Sequence, residues 1–68
     1  MPKKIRELKA MLTKAGFRWR PGRGSHTVWS HALLPGRRIT VAGNDGDDAR
    51  KYLEKEVETA IEQVEKRP

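Results

Sequence analysis

The sequence predicts an α+β domain: a two-layer sandwich in the order α-β-β-β-α, with a three-stranded antiparallel sheet and two helices on one of its faces. Three observations carry this. Apolar residues recur at helical spacing near both ends of the chain, short stretches between them alternate apolar and polar, and brief Gly- and Pro-bearing turns separate those stretches.

From Lys3 to Ala15, Ile5, Leu8, Leu12 and Ala15 form one stripe with Met11 alongside and basic residues outside it. Pro2 suits a first helical turn, Gly16 offers a left-handed stop, and Phe17 follows where a contact back onto the helix is common. Phe17-Arg18-Trp19-Arg20 alternates as a first strand, and Pro21 to Gly24 is a turn cluster. Ser25 to His31 is a second strand through Thr27, Val28 and Trp29. Pro35-Gly36 occupies the centre of a type II turn that closes a hairpin onto Arg38-Ile39-Thr40-Val41. The run Gly43 to Asp48 is a turn feeding a second helix from about Asp48 to Glu65, with Asp45 or Asp47 as its cap. Leu53, Val57, Ala60, Ile61 and Val64 form its apolar stripe, joined at the start by Ala49 or Tyr52. Arg50–Glu54 and Glu62–Lys66 stand one turn apart.

With 68 residues the chain reads as one domain, residues 1–68. A domain this small buries only about 60% of its unfolded surface, so its core is thin. There is no cysteine and there are two histidines, too few for a convincing metal site. The acidic loop lacks the ligand spacing of a calcium site. The expectation is no metal and no cofactor. The charged N-terminus and short apolar runs predict a cytoplasmic protein without a membrane segment.

Charge is unevenly spread. Residues 1–43 hold ten Lys/Arg against one acid, net +9, whereas residues 44–68 hold five against eight, net −3, giving +6. Such asymmetry predicts a basic surface and a polyanionic partner.

Gly24-Ser25-His26 stands out against that background. The small residues leave room for a phosphate, and the imidazole can exchange a proton near neutral pH. RNA carries its own nucleophile, the 2′-hydroxyl, so a minimal ribonuclease needs a proton acceptor, charge stabilisation and positioning. His26 is the candidate general acid or base. Arg20 and Arg23 lie close in sequence, Arg37 or Arg38 is expected close through the hairpin, and any of them can hold a phosphate by paired hydrogen bonds. His31 is read as structural, with its ring satisfied near the turn, and Trp19 and Trp29 as core residues. Alternation places His26, Val28 and Ser30 on one face and Thr27, Trp29 and His31 on the other, and leaves open which face the helices cover.

Taken in order, Gly16-Phe17 after the first helix, Gly24-Ser25-His26, His31, and Pro35-Gly36-Arg37 before a valine-containing strand resemble the HicA toxin family of toxin–antitoxin systems. The resemblance covers residues 4–43 well and the second helix in position and length. The chain departs from the family pattern at Ala32 and Ala42, where proline is common, and in its acidic Asn44–Asp48 loop. What the resemblance implies is a fold like the double-stranded-RNA-binding domain and metal-independent endoribonuclease activity on messenger RNA. It also implies a catalytic histidine at the position of His26 and neutralisation by a HicB-type antitoxin. The expected RNA contacts are Arg20, Arg23, Gly24, Ser25, Arg37 and Arg38, and the free toxin is expected to be a monomer or weak dimer. The alternative reading is an RNA-binding module of the same fold that cuts nothing.

Overall fold

The computed structural model describes residues 2–66 of the chain. Its elements are α1 (Ile5–Lys14), β1 (Arg18–Pro21), β2 (Thr27–Ser30), β3 (Arg38–Val41) and α2 (Lys51–Glu65). The strands form one antiparallel sheet in the order β1-β2-β3. The predicted α-β-β-β-α architecture is the observed one.

α1 ends as its sequence dictates. Gly16 adopts φ +94°, its N–H donates to the Thr13 carbonyl at 3.0 Å, and the Phe17 N–H donates to the Leu12 carbonyl at 3.0 Å. This paired closure satisfies carbonyls the helix leaves free and turns Phe17 into the core. The start of α1 differs from expectation. Residues 3 and 4 are extended against the loop before α2, with Lys4 bridged to Asp48 and the Ala49 N–H donating to the Lys3 carbonyl at 2.7 Å. Pro2 therefore precedes the helix rather than sitting in its first turn.

The acidic loop also takes a different role. The carbonyl of Asp47 accepts from the Ile5 N–H at 2.9 Å, and that of Asp45 from the Arg6 N–H at 3.1 Å. Those donors belong to the first turn of α1, which has no partners of its own. Asp45 and Asp47 thus close α1, through backbone oxygens, and do not cap α2. The Asp47 carboxylate is used inside the loop, accepting from the Asn44 N–H at 2.9 Å. With Asp48 held against Lys4, α2 begins at Lys51 after an extended Arg50 that makes no side-chain cap. Of the two helix pairs, Glu62–Lys66 forms at 2.8 Å. That contact holds the Glu62 carboxyl below its ordinary range, through the hydrogen bond first and the lysine charge second.

One cluster fills the space between the layers: Leu8 and Leu12 from α1, Trp29, Ile39 and Val41 from the sheet, and Leu53, Val57 and Ala60 from α2. Each fully buried leucine or valine contributes about 1.5–3 kcal/mol relative to exposure. Trp29 settles the orientation of the sheet, since it is 2% exposed and its face is the one the helices cover. Its indole N–H donates to the Thr27 hydroxyl at 2.9 Å, so the buried donor is satisfied. Trp19 is a correction. It stands opposite Trp29 in register, with ring centroids 6.3 Å apart, yet it is 57% exposed. β1 is an edge strand, and all four of its residues are exposed. Tyr52, at 65% exposure, does not join the α2 stripe, whereas Ala49 does.

Candidate active site on the open sheet face

The face of the sheet away from the helices follows from the register. Arg18 pairs with Ser30, which pairs with Arg38, and Arg20 pairs with Val28, which pairs with Thr40. Directly paired residues project to the same side, and these two rows alternate with the buried Trp29–Ile39 row. The open face therefore carries three arginines among small and polar side chains. Arg18, which alternates with Arg20 in β1, belongs to it as fully as Arg20 and Arg38, although the sequence did not single it out.

His26 lies at one end of this face, on the loop joining β1 to β2. The loop is closed by the Gly22 N–H donating to the His26 carbonyl and the His26 N–H donating to the Arg23 carbonyl, each at 2.9 Å. Gly24 takes φ +56° inside that turn, which a residue with a Cβ adopts only at a cost. A Cβ at Gly22 would stand 3.4 Å from the His26 Cβ and 3.6 Å from the Val28 Cγ2, so both side chains flank the same side of the loop. His26 is exposed, and among the described residues its ring has no hydrogen-bond partner. Thr27, the next residue, holds the strand down by accepting from Trp29, so the exposed imidazole stands on a fixed base.

Arg20 stands diagonally across the strand pair from His26, about 7–8 Å away by strand geometry, within reach of a shared phosphate. Arg23, Gly24 and Ser25 form the exposed turn beside it. Arg37 and Arg38 are not part of this group. Arg38 pairs with Ser30, four residues beyond His26, which is about 13 Å along the strand at ~3.3 Å per residue. The predicted residues thus spread along one face, with His26 at one end, Arg38 at the other, and Arg20, opposite Val28, between them.

His31 is structural, as expected. Its Nδ1 accepts from the Leu33 N–H at 3.0 Å, which leaves Nε2 to carry the proton and donate to the Ala15 carbonyl at 3.1 Å. Its ring meets Phe17 edge-on at 5.0 Å. The residue ties the end of α1 to the turn after β2. In that turn the Arg37 N–H donates to the Leu34 carbonyl at 3.1 Å and Gly36 takes φ +84°, which is the type II geometry Pro35-Gly36 predicts.

The ion pairs explain where the charge remains free. Among the described residues they are Lys4–Asp48, Lys9–Asp45 at 2.7 Å and Lys66–Glu62, all on the helical side. Asp45, Asp48 and Glu62 neutralise lysines, and among the described residues no acid pairs with the arginines of the open face. No three His, Cys, Asp or Glu side chains among the described residues gather into a metal-binding group, and no described helix is long and apolar enough to cross a membrane.

No curated protein and no solved structure matches the chain. A family profile does: that of the HicA toxin of bacterial toxin–antitoxin matches residues 5–65, from the first residue of α1 to the last of α2. The match runs through the second helix as well as the segment carrying Gly24-Ser25-His26, and on that extent the chain belongs to the HicA toxin family.

Proposed function

We propose that this chain is a metal-independent endoribonuclease that cleaves messenger RNA as the toxin of a type II toxin–antitoxin pair, with His26 as its general acid or base. The observation that supports this best is an exposed imidazole without a protein partner among the described residues, with Arg20 diagonally across the strand pair, Arg23 three residues before it in the same loop, and neither arginine paired to an acid. In this reading the RNA 2′-hydroxyl loses its proton to His26 and attacks the adjacent phosphorus. The 5′-oxygen leaves as it takes a proton from solvent water, a 2′,3′-cyclic phosphate results, and His26 returns its proton to solvent. Arg20 and Arg23 hold the phosphate oxygens by charge-assisted hydrogen bonds, and the Gly24-Ser25 turn leaves the approach clear. Toxicity belongs in the cytoplasm, where messenger RNA is available. An acidic HicB-type antitoxin silences the enzyme by covering His26, and the free toxin is a monomer or weak dimer.

The test is expression of wild type and His26→Ala in growing cells, with purified protein assayed on single-stranded RNA in EDTA. Growth arrest and RNA loss for wild type alone, with cyclic-phosphate ends and a drop of about 10²–10⁴ in rate for the variant, are the expected results. Equal RNA binding with no cleavage by either protein would identify a binding module instead. Activity that needs added magnesium would overturn the mechanism.

A further inference from the structure

The far end of the open face is built for an anion that the chemistry at His26 does not need. Arg18 and Arg38 flank Ser30 in one cross-strand row, and Arg37 closes the end from the turn after β2. These residues line a groove of about 310 Å³ that also takes in Arg20, and no acid lines it. Arg37 is half-buried, and its Nε is shielded from solvent with no hydrogen-bond partner among the described residues. Burial of that part of the side chain restricts its freedom, so the guanidinium lining the groove meets an anion at a lower entropic cost.

We propose that Arg18, Ser30, Arg37 and Arg38 form a second phosphate subsite. It would hold the backbone of single-stranded RNA a few nucleotides away from the bond at His26. The inference rests on the reading of His26 as the cleavage site. It adds a direction to that reading: the strand runs along β2 across the open face, covering the ~13 Å between His26 and the Arg38 row. The alternating guanidiniums of Arg18, Arg20 and Arg38 supply positive charge along that whole path. The far row, Arg18–Ser30–Arg38, carries no apolar side chain, which suits a phosphate backbone. Nucleic-acid interfaces are more polar and more basic than those between proteins. The subsite sets a minimum substrate length: a strand must span both ends of the face to be held fully.

The experiment uses 2′-O-methyl oligonucleotides, which lack the nucleophile and stay intact, in a trimer and an octamer of one composition. Binding to wild type, Arg18→Ala/Arg38→Ala and Arg18→Lys/Arg38→Lys is followed by fluorescence anisotropy over a range of salt. Melting curves of all three proteins check the fold. Wild type should prefer the octamer. The alanine pair should lose that preference, with octamer affinity falling about tenfold and the salt slope shrinking by about 0.7 for the phosphate no longer neutralised. The lysine pair, which keeps charge without the fork, should fall between them. Octamer affinity and slope unchanged in the alanine pair would overturn the subsite even if wild type cuts RNA at His26. An intact subsite with no cleavage of ordinary RNA by wild type would instead overturn the ribonuclease reading alone.

Discussion

Replacing His31 by alanine should cost stability, although the residue has no part in the proposed chemistry. The side chain makes two hydrogen bonds, from the Leu33 N–H at 3.0 Å and to the Ala15 carbonyl at 3.1 Å, and an edge contact with Phe17 at 5.0 Å. At about 1 kcal/mol for each hydrogen bond and about 1 kcal/mol for the aromatic contact, the loss is about 3 kcal/mol. In a domain of this size each kcal/mol moves the midpoint by about 4–8 °C, so His31→Ala should melt about 12–24 °C below wild type. His31→Asn keeps an acceptor for the Leu33 amide and should recover about 1 kcal/mol of the loss. The assay is thermal unfolding followed by circular dichroism, with His26→Ala run alongside. That variant removes an exposed ring with no partner and should melt within a few degrees of wild type. A His31→Ala protein that melts with wild type would refute the assignment of His31 as the tie between α1 and the β2–β3 turn. A His26→Ala protein destabilised as much as His31→Ala would show that the two histidines have not been told apart.

Two further outcomes follow from the same geometry. Thr27→Val strips the acceptor from the buried Trp29 indole and should cost about 1–3 kcal/mol in urea denaturation, and Trp29→Phe on that background should cost less than Trp29→Phe in wild type. An acidic antitoxin bound over an interface on the order of 1,200–2,000 Å² should slow amide exchange at residues 25–28; protection confined to α2 would show that inhibition does not work by covering His26.

Much of this fold is legible in the chain because its signals are local. Gly16 and Phe17 close α1 through bonds to Thr13 and Leu12, and Pro35-Gly36 sets its own turn. The alternation in 38–41 shows directly as a buried–exposed pattern. What was misread depends on distant partners. Asp45 and Asp47 look like caps for the helix that follows them, yet their carbonyls serve Ile5 and Arg6, and no periodicity reports a loop folding back to the start of the chain. Trp19 and Trp29 are equivalent by type and alternation. They differ because Trp19 stands on an edge strand and Trp29 on the central one, which strand order alone decides. In the candidate site, Arg20, Arg23 and His26 lie near one another in the chain, and register sets Arg20 diagonally across the strand pair from His26. The turn between β2 and β3 suggested that Arg37 or Arg38 lies near His26, but a hairpin returns to its own start, and register places Arg38 beside Ser30.

The closure of α1 by the acidic loop sets the order in which the molecule can assemble. The pairing of Lys4 with Asp48 joins residues 44 positions apart, and the first-turn donors of α1 depend on the same loop. Closing so long a loop is entropically slow, so the front of α1 frays until residues 45–49 have come round to it. The hairpin bearing His26 emerges from the ribosome earlier, but the face beneath it has only α1 to cover it until Leu53, Val57 and Ala60 of α2 arrive. A nascent chain therefore exposes its imidazole well before it can hold it in place. Competence waits on α2, so the imidazole and the core that fixes its strand mature at different times.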